Sequence, residues 1–161
     1  IASGPRGVVH GPLAVWLHRP ELAARAQALG QYCRYDSSLD PRLSELAILV
    51  TGRVFGSEFE WQSHKEVALK AGLAPEIVEA IRRNLRPTFS DPAEEIVHDV
   101  ARAAHTARRI DDALYARAVQ TLGEPALVDL VGILGYYTLI SLTINIFAIP
   151  PLSETAELEH D

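Results

Sequence analysis

The chain has 161 residues, the size of one domain, and a chain of that length buries roughly 70% of its unfolded surface without disulfide support. Its one cysteine, Cys33, excludes an internal disulfide, a CxxC redox pair and a multi-cysteine zinc site, and suits a reducing, cytoplasmic location. Fifteen Lys and Arg against 21 Asp and Glu leave a formal charge of −6, and the arginines are scattered, so nothing predicts a basic patch for nucleic acid.

Residues 1–18 read as an arm punctuated by Gly4, Pro5, Gly7, Gly11 and Pro12, too broken for a long helix, packing on the core or on a neighbouring subunit. It has no signal-peptide pattern. The helical domain expected over 19–149 begins with Pro20 as a first helical residue and Leu22, Ala23, Ala26 and Leu29 at helical spacing, ending near Asp36. Asp40-Pro41 then supplies an N-cap and first-turn proline for a helix to about Phe55, broken by Gly56. Ser57-x-x-Glu60 reads as a capping box at the head of a third helix that stops at Gly72. Pro75 opens a short helix to about Arg83, Asp91-Pro92 one to about Ala107, and Asp111 one to Gly123. Glu124-Pro125 starts the last, apolar helix, stopped by Pro150-Pro151, and residues 150–161 read as a C-terminal tail, acidic and frayed from Ser153. No alternating run supports a strand, so the expectation is an all-α single domain of about seven helices.

Leu130–Ile149 is free of charges and long enough to span a bilayer. Its flanks are the acidic Asp129 and Glu154, and Tyr136, Tyr137, Ser141 and Asn145 lie within it. It therefore reads as a core or subunit-interface helix, with no membrane partner. Gly132 and Gly135 on it suggest close helix packing, and its two tyrosines suit either pocket lining or core hydrogen bonds.

On a helical wheel the second helix is apolar almost all round, which places Glu45 in low-dielectric surroundings suited to acid–base work, or else pairs it with Arg34 or Arg53 to satisfy burial. The third helix carries the sharpest anomaly. Glu60 and His64, at i and i+4, share the face of Val67, Ala68 and Ala71, whereas Glu58, Gln62, Lys65, Glu66 and Lys70 form the wet face. Ionisable groups on a dry face must be satisfied by each other, by another helix or by a ligand. One imidazole with two carboxylates lacks the second histidine of HExxH, so no metal is expected. His98 and His105 read as solvated rim residues, His160 as tail, and His10 and His18 as within reach of a pocket.

Leu43-Ser-Glu45-Leu-Ala-Ile-Leu, then Glu58-Phe-Glu60-Trp61-x-x-His64, then Gly135-Tyr136-Tyr137 and Asn145-x-Phe147 resemble the carboxymuconolactone decarboxylase family, which includes the alkylhydroperoxidase-D-like proteins. The resemblance implies an all-helical fold assembled as a homotrimer or homohexamer. Peroxidase members carry a CxxC followed by a histidine, with a relay glutamate on the preceding helix. Matched back from His64, the thiol positions fall on Ser57 and Glu60 and the relay position on Glu45. Neither a hydroxyl nor a carboxylate replaces a redox thiolate, so thiol peroxidase activity is not expected.

The decarboxylase branch, as the resemblance implies, needs no cofactor. The leading expectation is a cofactor-independent lyase for a small carboxylated or lactone substrate of aromatic catabolism, with Glu45, Glu60 and His64 as catalytic residues. Arg34, Arg53, Trp61, Tyr136 and Tyr137 are the candidate substrate-binding residues. Two alternatives remain: another cysteine-independent isomerase or hydrolase in the same pocket, and a non-catalytic oligomeric binding or stress protein.

Overall fold

The computed structural model describes residues 11–158; most of the arm, including His10, and the last residues, including His160, lie outside the described residues. Among the described residues there are eight α-helices and no strand. Within the arm, Pro12–Trp16 forms the five-residue helix α1, where Pro12 takes a first-turn position that needs no backbone N–H. Trp16 is buried, and its indole N–H donates to Thr143 Oγ1 at 3.0 Å.

Helix α2, Pro20–Gln31, runs into a π-helical turn at Tyr32–Asp36. That turn buries Cys33 and lets Tyr32 donate to Asp129 at 2.6 Å, where the Ser38 hydroxyl also donates at 2.6 Å. The central helix is α3, Pro41–Val54, capped by the Asp40 carboxylate on the Arg42 N–H at 2.9 Å. Every residue from Leu43 to Arg53 is buried, because α4, α6 and α8 all pack on it. Arg42 clamps its start to α6 through Asp91, at 2.8 Å, and Glu94.

Helices α4 (Glu58–Lys70) and α5 (Pro75–Arg82) follow, then α6 (Pro92–Thr106), α7 (Asp112–Leu122) and α8 (Glu124–Ile146). Gly123, at φ +83°, ends α7 and caps α8 in one residue. Helix α8 is long and apolar enough to cross a membrane, but 61% of that apolar window is buried inside the protein, as expected of a core helix.

Three expectations need correction. The last helix ends at Ile146, before its prolines, because Ala148 turns left-handed (φ +48°) and the Ile149 N–H reaches back to the Ile144 carbonyl at 3.0 Å. Gly135 packs against nothing in the described chain: it is exposed, with open space where a Cβ would sit. It lies on a bare apolar stripe of α8 with Val128, Val131 and Ile146.

The tail, finally, is docked as far as Leu158, which is 4% exposed. Glu58 on α4 accepts the N–H groups of Glu157 (2.6 Å) and Leu158 (3.0 Å), and Glu157 reaches Lys65 at 2.7 Å. Much of the face of α4 expected to be wet is therefore covered by the end of the chain.

Candidate functional site

The site is built on the turn between α3 and α4. Gly56, at φ +59°, lets the Ser57 N–H bond back to the Gly52 carbonyl at 2.8 Å and the Gly56 N–H to Arg53 at 3.2 Å, closing α3 in a Schellman turn. Ser57 is already the N-cap of α4, so only Phe55, Gly56 and Ser57 separate the helices, and they run side by side. The expected capping box does not form: the Ser57 side chain makes no cap hydrogen bond. With the Ser57 N–H already taken by Gly52, the Glu60 carboxylate is drawn to the charge one turn on.

That charge is His64. Its Nδ1–H donates to Glu45 Oε2 at 2.7 Å, and its Nε2 lies 3.1 Å from Glu60 Oε1, within ion-pair distance. Glu45, Glu60 and His64 are 5%, 3% and 5% exposed. Burial pushes the imidazole pKa down, but hydrogen bonding and charge from both carboxylates outweigh it and raise the value from 6.5 to about 9. A pKa of about 9 makes His64 an imidazolium at neutral pH, with both nitrogens facing carboxylate oxygens.

The two tyrosines of α8 close over this trio. The Tyr137 ring meets the His64 ring edge-on at 5.1 Å, and Tyr136 packs on Tyr137 at 5.2 Å. Burial, then the Glu60 charge, pushes both phenols up, Tyr136 to about 12, so both remain neutral. Cavities of about 630 and 530 Å³ lie elsewhere, and none of the three residues lines either.

The other candidates scatter. Arg34 is exposed, with its guanidinium 5.7 Å from the Tyr35 ring centre. Arg53 is buried but lines the 630 Å³ cavity, away from His64. Trp61 is fully buried and donates its indole N–H to Glu157 of the tail at 3.1 Å, so it anchors the chain end. His98 and His105 are not solvated: His98 is buried, and His105 is half-buried with Nε2 2.8 Å from Thr51 Oγ1. Because that hydroxyl already donates to the Ala47 carbonyl, His105 must donate to it.

The family model for carboxymuconolactone decarboxylases matches residues 20–105, more than half of the chain. The chain belongs to the carboxymuconolactone decarboxylase family. The matched stretch of this carboxymuconolactone decarboxylase domain contains Glu45, Glu60, Trp61 and His64, while Tyr136 and Tyr137 lie beyond it on α8. No curated protein matches the sequence.

Closure over the carboxymuconolactone decarboxylase trio depends on Gly30. A Cβ there would lie 2.2 Å from the Tyr136 hydroxyl oxygen and 2.4 Å from Cζ. Gly30→Ala should therefore destabilise by about 1–2 kcal/mol through overpacking, despite the helix propensity of alanine. Gly135→Ala, in open space within the chain, should stabilise the single subunit by roughly 0.5–1 kcal/mol. Urea midpoints of the two variants moving in opposite directions would check both.

Proposed function

We propose that the protein is a cofactor-independent lyase that decarboxylates a small carboxylated lactone, with His64 as the proton donor. The observation that carries this reading is an imidazolium held between two buried carboxylates, Glu45 at 2.7 Å and Glu60 at 3.1 Å. In the reaction the bond from the ring carbon to the carboxylate breaks and CO₂ leaves. The electron pair passes to the lactone carbonyl as an enolate. His64 then delivers a proton to carbon and is reprotonated from solvent. Glu45 fixes the orientation of the ring, and Glu60 sustains its charge. Substrate reaches His64 when the Tyr136–Tyr137 cover swings aside, from the side on which the exposed Arg34 can meet a carboxylate.

We also propose assembly as a homotrimer or homohexamer through the bare stripe of α8, where Val128 and Ile146 are 70% and 73% exposed. Exposed apolar stripes of this kind mark association surfaces.

One observation favours a competing reading: the trio is sealed, as it would be if His64 merely satisfied burial in a non-catalytic protein. The test is CO₂ release from a panel of carboxylated lactones, γ-carboxymuconolactone first, by the wild type and by His64→Gln. The proposal expects CO₂ and a loss of about 10²–10⁴ in turnover for the variant with assembly intact. Products without CO₂ would replace it by isomerisation or hydrolysis, and equal loss of assembly and activity would make His64 structural.

A further inference from the structure

The 630 Å³ cavity lies on the side of α3 that carries Val50 and Arg53, walled by the end of α5, by α6 and by α7. Its volume falls within the roughly 300–1,000 Å³ typical of small-molecule sites. It shares no residue with the Glu45, Glu60 and His64 cluster.

Its charge is opposite to that of the molecule. In a chain of net charge −6 the cavity is lined by four arginines, Arg53, Arg86, Arg102 and Arg117, against two acids, Asp99 and Asp111. Both acids are already engaged: Asp99 takes Arg86 at 3.1 Å, and the Asp111 carboxylate accepts the Leu114 N–H at 2.8 Å as the cap of α7. Arg102 donates to the neutral amide oxygen of Asn84 at 3.0 Å, and Arg117 stands 3.8 Å from Glu95. Arg53, only 6% exposed, is the buried member of the four. The remaining wall is apolar: Val50, Ile81, Leu85 and Leu114.

Asn84 holds the rim in place. It is left-handed at φ +56°, and the Leu85 N–H reaches back to the Ala80 carbonyl at 2.9 Å, which ends α5 and turns Leu85 and Arg86 toward the opening. Guanidinium forks match the two oxygens of a carboxylate or the oxygens of a phosphate, and apolar walls suit a flat hydrocarbon body.

We propose that this cavity binds a small organic anion, a carboxylate or phosphate monoester on an apolar body, with its charged end on Arg102 and Arg117. The proposal is independent of catalysis at His64. It is tested by calorimetric titration of the full chain with benzoate, phenyl phosphate and the uncharged benzyl alcohol, and by following backbone amide shifts.

At least one of the two anions is expected to bind with Kd of roughly 1 mM or tighter, and which one binds identifies the head group. Benzyl alcohol should bind at least about tenfold more weakly, and Arg102→Gln and Arg117→Gln, at partly exposed positions, should each weaken the anion by about tenfold. Amide shifts should fall on α6, α7 and Asn84, with His64 unmoved. Failure of both anions to bind, equal binding of benzyl alcohol, indifference to both substitutions, or shifts centred on α4 would overturn the proposal.

Discussion

His64→Ala is expected to cost the fold about 3–5 kcal/mol, more than the loss of its side-chain volume explains, because it strands two carboxylates in the interior. Glu45 and Glu60 lie almost wholly out of solvent, and the imidazolium between them is their shared counter-charge. Adding Glu60→Gln to His64→Ala removes one stranded charge and should recover part of the loss, a coupling that a double-mutant cycle isolates.

The same residue gives the wild type a signature in pH. Its folded pKa, about 9, lies above the unfolded value near 6.5. The protonated form is thus preferred by the folded state, and its contribution is complete below pH 6.5. It is lost as pH rises through 9, by about 3 kcal/mol in all. Urea midpoints recorded from pH 6 to 10 should fall across this window in the wild type and stay flatter in His64→Ala. Parallel curves would show that His64 is not charged in the folded protein.

Removal of residues 153–161 should destabilise by about 3 kcal/mol, a large effect for a segment whose composition reads as frayed. Leu158 is buried, Glu157 bonds both Lys65 and the Trp61 indole, and Arg82 donates to the Glu157 carbonyl at 2.8 Å. Truncation exposes the apolar surface under Leu158 and leaves the buried Trp61 N–H without its acceptor. Leu158→Ala and Glu157→Gln should each reproduce part of the loss. A truncated chain with an unchanged thermal midpoint would mean that the docked tail contributes nothing to stability.

Helix positions were legible because their punctuation is local. Asp40-Pro41, Asp91-Pro92 and Asp111 all cap helices where the sequence predicts them, and Gly72 takes the left-handed turn after α4. The pairing of Glu60 with His64 was legible for the same reason, since both lie on one helix face, and Glu45 followed from a helix apolar on every side.

What sequence could not resolve depends on contacts between distant segments. Nothing near Glu157 announces that Trp61 and Lys65 will hold it, 96 and 92 residues away. His98 and His105 project from the edge of an apolar face, where a wheel cannot tell solvent from the α3 residue Thr51. The cavity arginines come from four separate segments, and no spacing pattern joins them. Arg53 lies about two turns after Glu45 on the same helix, yet its side chain lines the cavity on a different face of α3.

The three-residue link between α3 and α4, Phe55-Gly56-Ser57, has an outcome beyond local geometry. Glu45 and His64 are 19 positions apart, so the whole charged trio belongs to one helical hairpin, and no remote part of the chain supplies any of its members. The surrounding helices only roof it. Keeping this hairpin keeps the trio together whatever becomes of its neighbours, and what covers the trio is decided by the roof, α2 and α8, where Gly30 and Tyr136 meet.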